Sequence, residues 1–321
     1  MAGKPVNSIV IPTYNRRTEL LKRAIGSVFA QSVTDWELIV SDDEASPGET
    51  WSYLERLAAE DPRVVICRNS GAHGQAGNVN NGLKLARADW VKILHDDDVL
   101  RPQCLDVFLS AVNGDQSVAL VMCLADHYDN GRLMRHETVG ARSRIERLPQ
   151  RSVHLAMYLQ DVDIGMPTQV MVNRRLIDKG ILFEESENIS AISDSWWFAR
   201  LLQHGDLLMI NEVLVEEHQG EYGTATSNTG ARKLDAEYQF IRELVRPMID
   251  MRLNPPPLHV TNQSLCLIRA INRLAKRKPH DAFQLATTAW HPQAWWLTGR
   301  WLLRRLFPGR FEIVARQAIA D

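Results

Sequence analysis

Short apolar runs alternate with segments of helical periodicity between residues 8 and 94 of this chain. The runs are rich in Val and Ile and end at proline or at acidic residues, which is typical of buried strands. Between them, apolar residues recur every three or four positions, as along one face of a helix. This alternation predicts a doubly wound, mostly parallel α/β sheet with helices on both faces. Strands are predicted at 8–12, 36–43, 63–69 and 90–94, and helices at 18–31, 50–60 and 82–87.

Polar segments follow three of these strands: PTYN at 12–15, SDD at 41–43 and HDDD at 95–98. In a doubly wound sheet the ligand site lies beyond the carboxyl ends of the strands, so these segments are expected to meet. Three adjacent carboxylates repel one another and raise the pKa of at least one of them unless a cation intervenes. The acidic run is therefore either a solvated turn or the site of a positively charged ligand. Its convergence with the other two segments favours a site.

The second half of the chain is less regular. Strands are expected at 165–173 and 207–216, and helices at 234–251 and at 194–204, the latter closed by Gly205. The polar stretch 223–233, rich in small residues, is interpreted as a mobile loop. We expect a catalytic domain at 1–228, with a nucleotide-binding part at about 1–125 and an acceptor part at about 126–228. A helical, basic and Trp-rich region is expected at 229–321.

Composition restricts the class of protein without identifying it. The hydrophobic fraction is 45% and the charged fraction 24%, as in ordinary globular proteins. Four cysteines without a CxxC pair favour reduced thiols over a disulfide framework or a zinc site, which indicates the cytoplasm. The N-terminus lacks the apolar segment of a signal peptide, and no apolar run is long enough to span a bilayer.

Charge is distributed unevenly between the body of the chain and its tail. The net charge is −2, but from Pro255 onward ten Lys and Arg stand against three Asp and Glu. The remainder has 27 basic and 36 acidic residues. The tail mixes aromatic and cationic residues, which suits an anionic membrane interface; packing on the catalytic domain or at a homodimer interface is the alternative. The residues concerned are Trp295, Trp296, Trp301, Leu302, Leu303 and Leu306 among Arg300, Arg304, Arg305 and Arg310.

Four segments in colinear order resemble the family 2 glycosyltransferases, the inverting enzymes of GT-A fold that use nucleotide sugars. They are SIVIPTYNR, ELIVSDDEAS, GNVNNGLKLARADWVKILHDDDVLRP and SDSWWFARLLQHG. The resemblance covers roughly the first two-thirds of the chain. It implies a GT-A catalytic domain, a nucleoside-diphosphate sugar as donor and a hydroxyl group as acceptor.

The resemblance also implies a nucleotide site. Asp42 matches an aspartate after the second strand and is expected to accept a hydrogen bond from the imide of uracil. Where the family often has Ala-Arg-Asn, this chain has Asn78-Val79-Asn80, so the arginine is absent and Asn80 is assigned to the nucleotide. The family's nucleotide-contacting turn is matched by Pro12, Thr13, Tyr14 and Asn15. For Tyr14, packing in the core is the alternative role.

A metal site is implied by the family's Asp-x-Asp-Asp motif. Aligned on the following proline, this chain has His95 in place of the first aspartate, with Asp97 and Asp98 as the pair. Asp97 is expected to be the main metal ligand, with Asp98 beside it, while Asp96 contacts the ribose or the metal. Mn²⁺ or Mg²⁺ would accept these hard oxygen ligands and bridge the diphosphate.

The acceptor side is implied by SDSWWFARLL. Asp194 matches the catalytic base, which takes the proton of the acceptor hydroxyl, and the helix N-terminus is expected to keep it ionised; an N-cap is its alternative role. Trp196 and Trp197 are assigned to the acceptor, with one of them expected to pack in the core. His218 is expected to bind the cation or the diphosphate, or to be an ordinary surface histidine. The loop after His218 would close over the donor.

The expected function is metal-dependent, inverting transfer from a UDP-sugar to a glycan or lipid-linked acceptor in bacterial cell-surface polysaccharide synthesis. The expected location is the cytoplasm or the cytoplasmic face of the inner membrane. A sugar-nucleotide pyrophosphorylase is a rival, but the segment IPTYNRRTEL lacks the glycines of that class. Nucleic-acid binding by the tail would give salt-dependent affinity and has no support in the acidic body. A non-catalytic family member is disfavoured because Asp97 and Asp194 are both present.

Overall fold

The computed structural model describes residues 3–14, 17–43, 48–138, 143–219, 231–275, 277, 279–287, 289–307 and 314–319. Asn15 and residues 223–230 of the loop predicted at 223–233 lie outside these residues. Residues 231–233, the end of that predicted loop, are helical instead.

The structure alternates strands and helices over its first half, as the sequence pattern predicts. The strands are β1 Asn7–Thr13, β2 Trp36–Asp42, β3 Val64–Arg68, β4 Trp90–Ile93, β5 Val99–Leu100, β6 Val118–Asp129, β7 Arg132–His136, β8 Ile145–Leu148, β9 Val170–Asn173, β10 Asp206–Gln219 and β11 Gln317–Ile319. The helices are α1 Thr18–Phe29, α2 Glu49–Glu60, α3 Gln75–Leu85, α4 Cys104–Val112, α5 Gln150–Tyr158, α6 Arg174–Asp178, α7 Ser193–Leu201, α8 Ala231–Val245, α9 Leu258–Ala275, α10 Pro279–Ala286 and α11 Pro292–Leu306.

The strands form one sheet in the order β11-β8-β10-β6-β9-β4-β1-β2-β3, with β5 beside β10 and β7 beside β6. Strands β3, β2, β1 and β4 are parallel, which confirms the parallel sheet predicted for this half of the chain. Beyond β4 the sheet is mixed, because β9 pairs antiparallel with both β4 and β6. The long strand β10 runs parallel to β6 and carries the chain back to the carboxyl ends of the parallel strands.

Both faces of the sheet are covered, as expected for this architecture. Along β1, Val10 belongs to one hydrophobic layer while Ile9 and Ile11 belong to the other. Helix α3 lies close against β1 at Gly82, where an added Cβ would be 2.5 Å from a methyl of Val10. The glycine therefore fixes the distance between this helix and the strand that leads into the site.

The C-terminal region packs on the sheet. Strand β11 pairs antiparallel with β8 at the sheet edge. Asp161 Oδ1 accepts hydrogen bonds from Arg300 at 2.7 Å and from Arg304 at 2.5 Å. Two arginines expected at a membrane interface therefore face the protein interior, where this carboxylate offsets their burial. Among the helices of the described residues, none has the length and apolar character needed to cross a membrane.

Candidate active site

The carboxyl ends of β1, β2 and β4 bring three predicted donor residues together. Thr13 and Asp42 are register partners in the parallel pair β1–β2. The Thr13 hydroxyl donates a 2.7 Å hydrogen bond to Asp96 Oδ2, and all three side chains are buried. Next to them Tyr14 is 62% exposed, so it does not pack in the core and its ring is accessible to a ligand. Pro12, one residue before Thr13, is half-buried.

The second carboxylate after β2 organises the turn that leads into α3. Asp43 accepts hydrogen bonds from Asn69 Nδ2 at 2.6 Å and from the Gly74 N–H at 2.8 Å, and His73 Nδ1 lies 3.1 Å away. Gly74 has φ of 102°, a conformation that favours glycine. Asp43 therefore has a structural role, which leaves Asp42 as the aspartate of this pair assigned to the nucleotide.

Asn80 lies within α3 and binds the backbone of Phe183. Its Nδ2 donates to the Phe183 carbonyl at 2.8 Å, and its Oδ1 accepts from the Phe183 N–H at 2.9 Å. This paired bond ties α3 to the segment before α7. The predicted contact between Asn80 and the nucleotide would have to form beside this bond or replace it.

The acidic run divides into residues with different surroundings. Asp98 is buried, and its carboxylate accepts hydrogen bonds from Thr168 Oγ1 at 2.5 Å and from the His218 N–H at 2.9 Å. Burial raises the pKa of Asp98 well above its usual value, and the charges of Asp97 and Glu217 add to this effect. Asp98 thus joins three segments of the chain, whereas Asp97 is the more exposed of the two predicted ligands.

His218 and Arg23 lie next to the acidic run. The His218 ring stacks on Tyr128 with centroids 4.9 Å apart, and its Nε2 is 3.7 Å from Glu216. Burial lowers the pKa of His218, and the positive charge of Arg23 lowers it further. Arg23, from α1, donates a 2.5 Å hydrogen bond to the Asp97 carbonyl. These contacts place a neutral imidazole and a guanidinium beside the acidic run.

Two side chains in or beside the acidic run, Asp97 and His218, carry donor groups that Mn²⁺ accepts. The carboxylate of Asp97 is partly exposed, and His218 Nε2 is a buried nitrogen without a hydrogen-bond partner among the described residues. Within that part of the chain, no three His, Cys, Asp or Glu side chains converge on a point where they could hold a metal ion. A cation here would therefore complete its shell with diphosphate oxygens and water.

Asp194 lies in the first turn of α7, which begins at Ser193, so Asp194 is not the N-cap residue. Its Oδ1 accepts a 2.7 Å hydrogen bond from the Ser195 N–H. Burial nevertheless raises the pKa of Asp194 to about 6, against the opposing effects of this hydrogen bond and of His95. The helix terminus was expected to keep Asp194 ionised, and the Ser195 N–H does lower the pKa of Asp194, but desolvation outweighs this single donor. A carboxylate of this pKa is ionised at neutral pH and basic enough to accept a proton.

The two tryptophans after Asp194 have different positions. Trp197 has 0% exposed surface, contacts Phe183 and Phe198, and donates its Nε1–H to the Ile181 carbonyl at 3.0 Å. Its assignment to an acceptor pocket does not fit this position in the core. Trp196 is only partly buried and remains the aromatic candidate for the acceptor.

Several residues that shape the site were not predicted. Thr168 and Lys92 fix the segment before β9: Lys92 is fully buried in β4, and its Nζ donates to the carbonyls of Thr168 and, at 3.2 Å, Val170. The one sequence signal was a lysine inside an otherwise apolar strand. His127 bridges two carboxylates, with Nε2 2.9 Å from Glu137 and Nδ1 2.9 Å from Glu217. No local pattern marks such pairs, because the partners are distant in sequence.

The sequence matches a known family over its first half. Residues 8–181 match the family model described as Glycosyl transferase family 2. This match covers more than half of the chain, and the chain therefore belongs to glycosyl transferase family 2.

Particular relatives agree with this assignment. The GalNAc(5)-diNAcBac-PP-undecaprenol beta-1,3-glucosyltransferase of Campylobacter jejuni is 35% identical over 127 residues, which are 39% of this chain and 40% of that protein. The chain thus spans less than half the length of this relative, and the same holds for other curated relatives.

Two solved structures share the fold. S. aureus TarS 1-349 in complex with UDP-GlcNAc has a TM-score of 0.59 at 12% identity and covers 88% of this chain and 90% of its own. The mannosyltransferase PcManGT from Pyrobaculum calidifontis, in complex with GDP-Man and Mn²⁺, has a TM-score of 0.57 at 18% identity. That match covers 95% of this chain and 81% of the PcManGT chain. Identities this low show the fold alone, and the predicted GT-A fold is confirmed.

Proposed function

We propose that this chain transfers a sugar from a nucleoside-diphosphate sugar to a hydroxyl of a glycan or lipid-linked acceptor, with inversion at the anomeric carbon. The observation that carries the proposal is the meeting of Thr13, Asp42 and Asp96 at the carboxyl ends of the parallel strands. That edge is where doubly wound sheets bind nucleotides.

On the donor side, the exposed Tyr14 ring offers a stacking surface for a base, and Asp42 accepts a hydrogen bond from its imide. Uracil is the base that suits this acceptor, so the donor is a UDP-sugar. Asp97 and His218 would hold Mn²⁺ or Mg²⁺, which when bound neutralises charge on the departing diphosphate. Arg23 supplies further positive charge beside the same group.

On the acceptor side, the Asp194 carboxylate takes the proton of the attacking hydroxyl. The hydroxyl oxygen forms its bond to the anomeric carbon from the face opposite the nucleotide. The electron pair of the broken bond leaves with the nucleoside diphosphate, so no covalent intermediate is needed and the configuration inverts. Trp196 provides an apolar face for an acceptor sugar.

Features of the donor edge and of the tail weigh against the rival functions. A pyrophosphorylase would have glycines in the turn after β1, but the segment IPTYNRRTEL has none. In the tail, Arg300 and Arg304 bind Asp161, and Arg316 binds Glu146 at 3.2 Å. These arginines are used inside the protein, which leaves less positive charge for a nucleic acid.

The outer face of α11 supports contact with a membrane that carries the acceptor. Trp295 is 54% exposed, Trp296 59% and Leu306 70%, and Leu303 lies between them on the same side of the helix. The arginines at 300 and 304 point the other way, to Asp161, so the outward face is mainly apolar, and the exposed Arg305 supplies a positive charge on this helix. Tryptophan prefers the interface of a bilayer, and the Campylobacter relative is named for an undecaprenol-linked substrate. We therefore assign this face to an anionic bilayer surface.

The donor proposal is tested by calorimetric titration of UDP and of GDP with and without Mn²⁺. We expect Mn²⁺-dependent binding of UDP that is lost in Asp97→Asn and retained in Asp89→Asn, a surface change at a carboxylate that binds Lys4. Binding of GDP alone would overturn the base assignment. A folded protein that binds neither nucleotide would overturn the proposed function.

The membrane proposal is tested by sedimentation with vesicles of phosphatidylglycerol and phosphatidylcholine, and of phosphatidylcholine alone. We expect binding to the anionic vesicles that is lost in Trp295→Ser/Trp296→Ser and kept in Met134→Ser, a change at a methionine that is 60% exposed outside α11. If the tryptophan variant instead dissociates a dimer and wild type ignores both vesicles, the face binds a second copy and the proposal is wrong.

A further inference from the structure

A buried carboxylate from the C-terminal region holds the segment that leads into α7. Glu237 lies on α8 and is 1% exposed. Its Oε2 accepts hydrogen bonds from three consecutive backbone N–H groups, those of Ser190, Ala191 and Ile192, at 3.1, 2.8 and 3.2 Å. Its Oε1 accepts from the Ser190 hydroxyl at 3.0 Å. Four donors from three residues therefore converge on one side chain.

Such convergence fixes a backbone conformation. Successive N–H groups that point to one side form a concave anion site, and an ionised carboxylate accepts bonds about twice as strong as those between neutral groups. Without the Glu237 carboxylate these donors would lose their hydrogen-bond acceptor, which is unfavourable at a buried position. The conformation of residues 190–192 is therefore set by a side chain from another part of the fold.

The segment so held ends immediately before α7. Ile192 is two residues before Asp194, so the direction in which the Asp194 carboxylate points depends on the backbone that Glu237 holds. The charge of Asp194 also acts on the next residue of α8: burial raises the pKa of Tyr238, and the charges of Asp163 and Asp194 raise it further. Helix α8 packs against α7 itself, so it contacts the helix that carries the base as well as the backbone before it.

We propose that Glu237 is a positioning residue for the catalytic base: it holds residues 190–192 so that Asp194 faces the acceptor hydroxyl. This inference rests on the proposed function, in which Asp194 is the base. It means that the region after residue 228 contributes to transfer although the family motifs end before it.

The test compares Glu237→Ala and Glu237→Gln with a matched control, Glu37→Gln. Glu37 is also 1% exposed, and it accepts hydrogen bonds from Ser8 Oγ, from the Arg87 N–H and from Arg87 Nε at 2.6, 2.7 and 2.7 Å, away from α7. We expect kcat to fall about 10- to 100-fold in Glu237→Ala, as for a misplaced catalytic group, and less in Glu237→Gln, which keeps one acceptor oxygen. The Kd for UDP and Mn²⁺ should not change, and Glu37→Gln should keep its kcat.

A double-mutant cycle separates positioning from general stability. In the background of Asp194→Asn there is no base to position, so adding Glu237→Ala should lower kcat no further. If Glu237→Ala lowers kcat equally in both backgrounds, or no more than Glu37→Gln does, the inference is wrong. If Glu237→Ala does not fold, the same comparisons on Glu237→Gln decide. A wild-type protein without transferase activity, or an Asp194→Asn variant with full activity, would instead overturn the proposed function.

Discussion

The hydroxyl of Thr168 donates a 2.5 Å hydrogen bond to Asp98 Oδ2 and accepts a 3.1 Å hydrogen bond from the His95 N–H. Through these two bonds a residue just before β9 fixes the acidic run that follows β4. Because β9 enters the sheet antiparallel to β4, the mixed half of the sheet supports the proposed donor site of the parallel half.

We expect Thr168→Val to destabilise the protein by about 1–3 kcal/mol, because it leaves a buried carboxylate oxygen and an N–H group without this partner. The same variant should raise the KM for the donor, since the acidic run loses an anchor. Urea unfolding and donor titration measure the two effects. Thr168→Ser keeps the hydroxyl and should resemble wild type; a serine variant as impaired as the valine variant would point to lost methyl packing instead.

The transferase rate should depend on pH through Asp194. Burial raises its pKa to about 6, and only the ionised form accepts a proton, so kcat should rise as pH increases to about 6 and level off above it. Asp194→Asn should lower kcat by about 10²–10⁴ and remove this limb of the profile. A pH–kcat curve on the purified variants checks both, and an unchanged limb in the variant would assign the pKa to another group.

The raised pKa of Asp194 also makes stability depend on pH. As pH rises, the free energy of unfolding should fall, whereas kcat should rise. An aspartate in an unfolded chain has a pKa of about 3.9, so between about pH 4 and 6 the folded protein binds the Asp194 proton more tightly than the unfolded chain does. The contribution of Asp194 to the free energy of unfolding should therefore fall as pH rises through this window. In denaturation curves at several pH values, the free energy of unfolding should fall less for Asp194→Asn than for wild type over this window. Equal falls in the two proteins would contradict the raised pKa.

His127 should stabilise the protein in its charged form. Burial disfavours the charge, but the hydrogen bonds with Glu137 and Glu217 outweigh it and raise the pKa of His127 to about 9. An unfolded histidine has a pKa of about 6.5, so this stabilisation is complete below that pH and is lost as pH rises through about 9. Unfolding free energies measured from pH 6 to 10 should fall more in wild type than in His127→Gln. Parallel curves would rule out a charged bridge.

The cluster around Asp161 should anchor α11. Asp161→Asn leaves the buried guanidiniums of Arg300 and Arg304 with a neutral partner, so we expect a loss of about 3–5 kcal/mol. Asp178→Asn is the control, because the pair of Asp178 with Arg174 is exposed and is worth less than about 0.5 kcal/mol. Chemical denaturation compares them. Equal losses would mean that the cluster at Asp161 is as weak as a surface pair.

The sequence predicted the parallel half of the fold and the residues at its edge. Strands such as β1 and β2 are buried on both faces, so they appear as continuous apolar runs, and the polar segments after them mark the carboxyl ends. Contacts between these ends, such as the bond from Thr13 to Asp96, follow from the parallel register. Local patterns were sufficient here because the residues proposed to bind the nucleotide are adjacent to their own strands.

The tertiary structure decided what depends on distant partners. The pattern could not show that Arg300 and Arg304 turn inward, because their common partner Asp161 is 139 and 143 positions away. It also did not show that the pKa of Asp194 is raised, because desolvation depends on everything packed around a carboxylate and not on the helix that carries it. Glu237 has no motif at all. Sequence therefore determined which side chains stand at the ends of the strands, whereas packing determined which of them are buried, paired and charged, because electrostatic free energies depend on distance in space.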